Sequence, residues 1–175
     1  MENILDFAMQ MELDGRQFYL NGAENTNNPG LKKIFKQLAD EEHRHYHVFK
    51  RLKEGEVADA ISEMKGSGDT LTLTKSLFEE MAESGKTTLP GESEKDVWTE
   101  ARTIEEKSVQ MYADEAEKQS DPERKNLLNK LADEERTHIY LIDNILTFLK
   151  DPKGFQQSQD YRTFMSWEGH DKGGW

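Results

Sequence analysis

Two glutamates, a histidine and a tyrosine recur in this chain at identical intervals. Glu12, Tyr19, Glu42 and His45 form one set, and Glu105, Tyr112, Glu135 and His138 form the other, 93 positions later. Each set reads Glu-x6-Tyr-x22-Glu-x2-His, and the second glutamate of each closes the same phrase, Leu-Ala-Asp-Glu-Glu, at 38–42 and 131–135. Carboxylate oxygen and imidazole nitrogen are ligands for divalent first-row cations. Four carboxylates and two imidazoles in this arrangement are the ligand set of a dinuclear metal site inside a four-helix bundle.

The spacing places each set on two long helices. The first is expected from about Asn3 to Glu24, with Leu5, Ala8, Glu12, Gly15, Tyr19 and Gly22 on one stripe. The second opens at Asn28-Pro29, a capping residue followed by proline at the first helical position, and ends near Glu54 before Gly55. The fourth opens the same way at Asp121-Pro122 and reaches Lys150, and the third runs from near Ser93 to Gln119. From Glu12 the chain runs about fifteen residues to its turn and about thirteen back to Glu42, and the second hairpin repeats this. Each hairpin therefore holds its two glutamates at one depth, and a histidine at i+3 lies on nearly the same face.

Burial carries the strongest physical argument. One inward stripe reads Leu31, Phe35, Leu38, Glu42, His45, Phe49, Leu52, and the other reads Leu128, Leu131, Glu135, His138, Ile142, Ile145, Leu149. Glutamate and histidine hold core positions, while Glu41, His43, His47, Glu134 and Arg136 are expected to face outward. Unpaired carboxylates in an apolar interior cost several kcal/mol each or take up protons. Two divalent cations would balance four such charges.

The fold expected is all-α: a four-helix bundle over residues 1–150 that resembles the ferritin-like bundles, made of two hairpins joined by a crossover at about 55–92. That crossover is too long for a hairpin loop and should contain a short amphipathic helix with Leu73, Leu77, Phe78 and Met81 on one face. Residues 151–175, with Phe155, Tyr161, Phe164, Trp167 and Trp175, form an aromatic tail expected to pack on the bundle or on a partner chain. The net charge of −12 argues against nucleic acid and anionic membrane surfaces as partners. No cysteine is present, which excludes disulfides, zinc ribbons and a rubredoxin-type iron centre within this sequence. The N-terminal residues show neither a basic region nor a long apolar run, so the expectation is a cytoplasmic protein without a membrane span.

The duplicated pattern resembles that of the rubrerythrin branch of the ferritin-like superfamily, in helix order, turn chemistry and ligand spacing across nearly all of residues 1–150. The resemblance implies that Glu12 and Glu105 are terminal ligands, that Glu42 and Glu135 bridge two iron ions, and that His45 and His138 bind one each. It also implies reaction with hydrogen peroxide or dioxygen. Two departures stand out. Rubrerythrins carry a further glutamate three residues after the third-helix ligand, where this chain has Ser108, and many carry a rubredoxin domain, which a chain without cysteine cannot build.

The leading expectation is thus a di-iron protein that oxidises Fe(II) with hydrogen peroxide or dioxygen, drawing electrons from an unknown donor, as a monomer or homodimer. Two alternatives stay open: non-catalytic holding of iron, manganese or zinc, and a cage-forming iron store. Tyr19 and Tyr112 are candidates to hydrogen-bond the ligand carboxylates or to act as redox side chains, or else are core tyrosines with satisfied hydroxyls. His43 and His47, an i,i+4 pair, could hold a stray cation, though a solvated face explains them more simply. His170 reads as a surface residue.

Overall fold

A computed structural model describes residues 3–66, 70–84 and 92–169. The elements are α1 (Ile4–Asn25), α2 (Pro29–Lys53), α3 (Val57–Lys65), α4 (Thr70–Ser84), α5 (Glu92–Lys118), α6 (Pro122–Lys150), α7 (Pro152–Gln156) and α8 (Gln159–Ser166), with no strand among the described residues. The caps foreseen from sequence set the hairpin turns. Asn28 accepts hydrogen bonds from the amides of Gly30 and Leu31, and Asp121 accepts one from Glu123, each with proline in the first turn. Helix α1 packs along α2 and α5 along α6, and α1 also meets α5 across the bundle.

Where α1 and α2 approach, Gly22 makes room. A Cβ there would lie 2.7 Å from the Phe35 ring, which stacks in turn on Trp98 of α5 with centroids 4.2 Å apart. Every residue of the two expected inward stripes on α2 and α6 is buried. The apolar interior nevertheless divides in two. One cluster gathers around Tyr19, Phe35, Trp98, Ile142 and Phe148, and the other around Phe49, Leu52, Tyr112, Leu127 and Leu131. The glutamates and histidines of the repeated pattern lie between them.

The crossover holds two helices where one was expected. The foreseen α4 buries Leu77, Phe78 and Met81 on α2 and the tail, and Leu73 is partly buried beside them. The additional α3 packs Ala60 and Met64 into the second cluster. Its apolar pattern spans only two turns, too short to stand out by periodicity.

The tail lies on the bundle. Phe155 and Phe164 close around Phe78, with centroids 5.1 and 5.4 Å away, and Trp167 meets Tyr140 edge-on at 4.3 Å. Trp175 and His170 lie outside the described residues. Among those described, no helix is long and apolar enough to cross a membrane.

Candidate metal centre

All six residues singled out by spacing converge in the layer between the two apolar clusters, and none is more than 2% exposed. Two overlapping groups form: Glu12, Glu42, His45 and Glu135, and Glu42, Glu105, Glu135 and His138. Within each, one ligand-type atom per residue lies within 4.8 Å of all the others. Glu42 and Glu135 belong to both groups, which is the placement a bridging carboxylate needs. Glu135 offers one oxygen to each side, Oε1 at 3.0 Å from His45 Nδ1 and Oε2 at 2.9 Å from His138 Nδ1.

The outer atoms of these side chains bond residues outside the ligand set, and the inner ones face only one another. Tyr19 on α1 donates to Glu105 Oε1 on α5, and Tyr112 on α5 donates to Glu12 Oε1 on α1. Each tyrosine thus holds the terminal glutamate of the opposite hairpin and leaves that glutamate's Oε2 free. The imidazoles do likewise. His45 Nε2 lies 2.8 Å from Glu134, and His138 Nε2 lies 2.5 Å from Glu41. With Nε2–H donating to these carboxylates, both Nδ1 atoms point to the centre. Seven buried atoms there make no hydrogen bond: Glu12 Oε2, Glu42 Oε1, His45 Nδ1, Glu105 Oε2, both oxygens of Glu135, and His138 Nδ1. Buried polar atoms are almost always paired, and seven without a hydrogen bond around one point are a donor set that could hold metal.

The outward placement expected for Glu41 and Glu134 is corrected. Glu41 is buried, Glu134 is half-buried, and each takes the histidine of the opposite hairpin. A step of 100° from the ligand still falls within the broad arc that a bundle helix buries. The doublet Glu-Glu, repeated intact in both copies, was the signal: the first glutamate recurs as faithfully as the second. Arg136 pairs with Asp133 on its own helix, half-exposed as expected. His43 and His47 lie tilted against each other with centroids 4.6 Å apart, half-buried, and belong to neither ligand cluster.

Without cations, protons must balance the site. Burial, then the charge of Glu135, pushes Glu105 up to about 8. Burial and the same neighbouring carboxylates hold Glu42 well above the ordinary range. Burial works against charge on both imidazoles, but Glu135 and Glu12 beside His45, and Glu105 beside His138, outweigh it and raise both. Burial works against ionising Glu41 too, yet its bond to His138 and the Thr70 hydroxyl draw it down to about 2. The tyrosine hydroxyls are raised by burial and by the carboxylates they serve, so both remain donors.

Ser108 stands one turn beyond Glu105, buried, with its hydroxyl turned back to the Ile104 carbonyl at 3.3 Å. Its counterpart in the first repeat is Gly15, where a Cβ would sit 2.8 Å from Glu42 Oε2. Any side chain there would displace a bridging candidate.

Paired hairpins, a long crossover and a buried layer of carboxylate and imidazole define a ferritin-like bundle whose interior could hold metal. A family model described as Rubrerythrin matches residues 3–146, and the chain belongs to the rubrerythrin family. Neither the curated proteins nor the solved structures gave a match.

Proposed function

We propose that the protein binds two iron ions and oxidises Fe(II) with hydrogen peroxide or dioxygen as acceptor. The observation that carries this reading is the set of seven unpartnered atoms facing one point. Glu12 with His45 and Glu105 with His138 would each hold one ion, and Glu42 and Glu135 would bridge them. When bound, such a pair supplies two electrons to an oxidant at its open positions.

The chain's own residues do the rest. Tyr19 and Tyr112 fix the terminal carboxylates through their outer oxygens, so that the inner ones are aimed before any cation arrives. Glu41 and Glu134 orient the two imidazoles and raise their basicity. The apolar clusters above and below exclude water from the layer. Electrons would come from a separate donor, because no cysteine is available in this sequence for a rubredoxin-type centre. A cytoplasmic monomer or homodimer suits this role.

Stopped-flow oxidation of the Fe(II)-loaded protein tests the proposal. Wild type should react with one of the two oxidants faster than free Fe(II) does, and Glu135→Ala should lose that advantage while keeping its helical content. Ser108→Glu restores the glutamate that rubrerythrins carry there and should favour peroxide over dioxygen.

A second reading is non-catalytic holding of iron, manganese or zinc, favoured by the hydroxyl at Ser108 where the family has a ligand. Carboxylate and imidazole do not select iron by affinity alone. If wild type outpaces free Fe(II) with neither oxidant, this reading stands. Elemental analysis and a Mössbauer spectrum of protein from its own host would identify the metal.

A further inference from the structure

The repeat makes the two halves of the centre equivalent in their ligands, but not in what stands behind them. Glu134, which holds His45, uses a single oxygen for two donors. Its Oε2 accepts from Arg44 at 2.6 Å and lies 2.8 Å from His45 Nε2. Glu41, which holds His138, divides the work. Its Oε1 accepts from the Thr70 hydroxyl at 2.7 Å, leaving Oε2 to His138 alone at 2.5 Å. Arg44 is fixed where it is by a second bond, to the Met64 carbonyl at 3.2 Å. Its counterpart in the second repeat is Thr137, whose hydroxyl bonds back to Asp133 on its own helix. A guanidinium charge therefore backs one imidazole, and a neutral hydroxyl backs the other.

We infer that the two metal positions differ in affinity, and that the first divalent cation enters the position of Glu105 and His138. This rests on the di-metal reading above. A carboxylate that receives an imidazole N–H pushes electron density onto the metal-facing nitrogen. Glu134 shares that capacity with a cation, because charge-assisted bonds from arginine are the stronger competitor. Glu41 spends one oxygen wholly on its histidine. Arg44 also bonds the carboxylate behind His45 directly and makes no bond to Glu41, so its charge opposes a cation at the His45 position more strongly. Burial adds to the difference: the Glu41 side chain is 7% exposed and that of Glu134 19%, so water screens the Glu41 pair less. Arg44, Glu134, Glu41 and Thr70 are positioning residues, since none of them points an atom at the centre.

The test uses Zn(II) and the full chain. Crystals of metal-free protein given one equivalent of Zn(II) are measured at the zinc edge, and anomalous density should be several-fold higher at the Glu105/His138 position. Occupancy, rather than a two-step isotherm, is the deciding readout, because repulsion between two ions would split the steps even in a symmetric site. Calorimetric titration then follows the variants. Arg44→Gln should tighten the second step by about 10-fold and reduce the occupancy difference, the scale typical of residues behind the ligands. Thr70→Val should weaken the first step, and Thr70→Ser should restore it. Arg44→Lys, which keeps the charge, should behave like wild type.

Equal occupancy in wild type, or preference for the Glu12/His45 position, overturns the inference while leaving the di-metal reading intact. So does an Arg44→Gln protein whose second step is unchanged. Binding of fewer than two Zn(II) at saturation overturns the di-metal reading itself.

Discussion

The bundle interior contains two kinds of core stacked on one another, and they are held together by opposite means. Around Phe35 and Phe148, and again around Phe49 and Leu127, apolar side chains fill space and need nothing from outside the chain. Between them lies a layer with seven unpartnered polar atoms, which is a cost to the metal-free fold. The first kind of core stabilises the fold by burial alone; the second carries a polar cost that bound metal would relieve on the reading proposed above. The lesson is that helix-forming stripes can carry a demanding polar layer provided that ordinary packing brackets it on both sides.

The largest effect should come from the apolar side. Phe35→Ala removes a ring stacked on Trp98 and packed on Gly22, and should destabilise by about 3–5 kcal/mol in urea unfolding. Its response to metal should stay intact, because the lesion lies outside the polar layer. If the variant also loses metal binding, the two cores are not separable as described.

The polar layer should show the reverse behaviour. Saturating Zn(II) or Fe(II) at neutral pH should stabilise wild type by about 4 kcal/mol at a thousand-fold excess over Kd, read as a rise in Tm on the order of 10 °C. Glu135→Ala should remove most of that rise. An unchanged Tm on adding metal to wild type would sink the account of the layer.

A change behind the ligands should be smaller. Glu41→Ala strips His138 of its partner and should lower metal affinity by about 10–100-fold, with modest loss of helical stability. The test is a metal titration beside a thermal melt. An effect no larger than that of Asp40→Ala would place Glu41 outside the working site.

The pH dependence of the metal-free protein sharpens the comparison further. Glu105, held up at about 8, and Glu42, raised well above its ordinary 4.5, keep protons that the unfolded chain has released. Their contribution is complete below about 4.5 and is lost as pH rises through the folded values. His45 and His138, raised above 6.5, act with the same sign at higher pH. Glu41, drawn down to about 2, acts with the opposite sign, but only as pH falls below 4.5. Stability without metal should therefore fall between pH 5 and 8, by about 1.4 kcal/mol per pH unit for each extra proton held. Cations replace those protons, so urea midpoints measured with Zn(II) should flatten or reverse the trend. A metal-free protein that gains stability across this range would contradict the site's electrostatics.

Much of this was legible in the sequence for a specific reason. Glu12, Glu42, His45 and their counterparts are anchored by helical period and by hairpin turns with proline caps, both of which are local signals. What escaped were relations between elements. That Tyr19 serves Glu105 rather than Glu12, that Nδ1 and not Nε2 faces inward, and that Glu41 reaches His138 all depend on how one hairpin docks on the other. Helix α3 escaped because two turns of apolar spacing are weak evidence, and Thr70 because no local pattern tells that a crossover threonine will meet a glutamate on α2.

The reciprocal bonds between the hairpins also bear on ancestry. Each half supplies the tyrosine and the outer carboxylate that the other half needs, so two identical half-length chains could satisfy every one of those bonds by rotation about a shared axis. Such a pair would be bound to its symmetry: an arginine gained at one position would appear at both. A single chain that carries both halves is free of that constraint, and here the two copies differ. Arginine faces threonine across positions 44 and 137, and glycine faces serine across 15 and 108. The six ligand positions are identical in both copies while neighbours such as these differ, so a single chain can acquire direction without losing its paired chemistry.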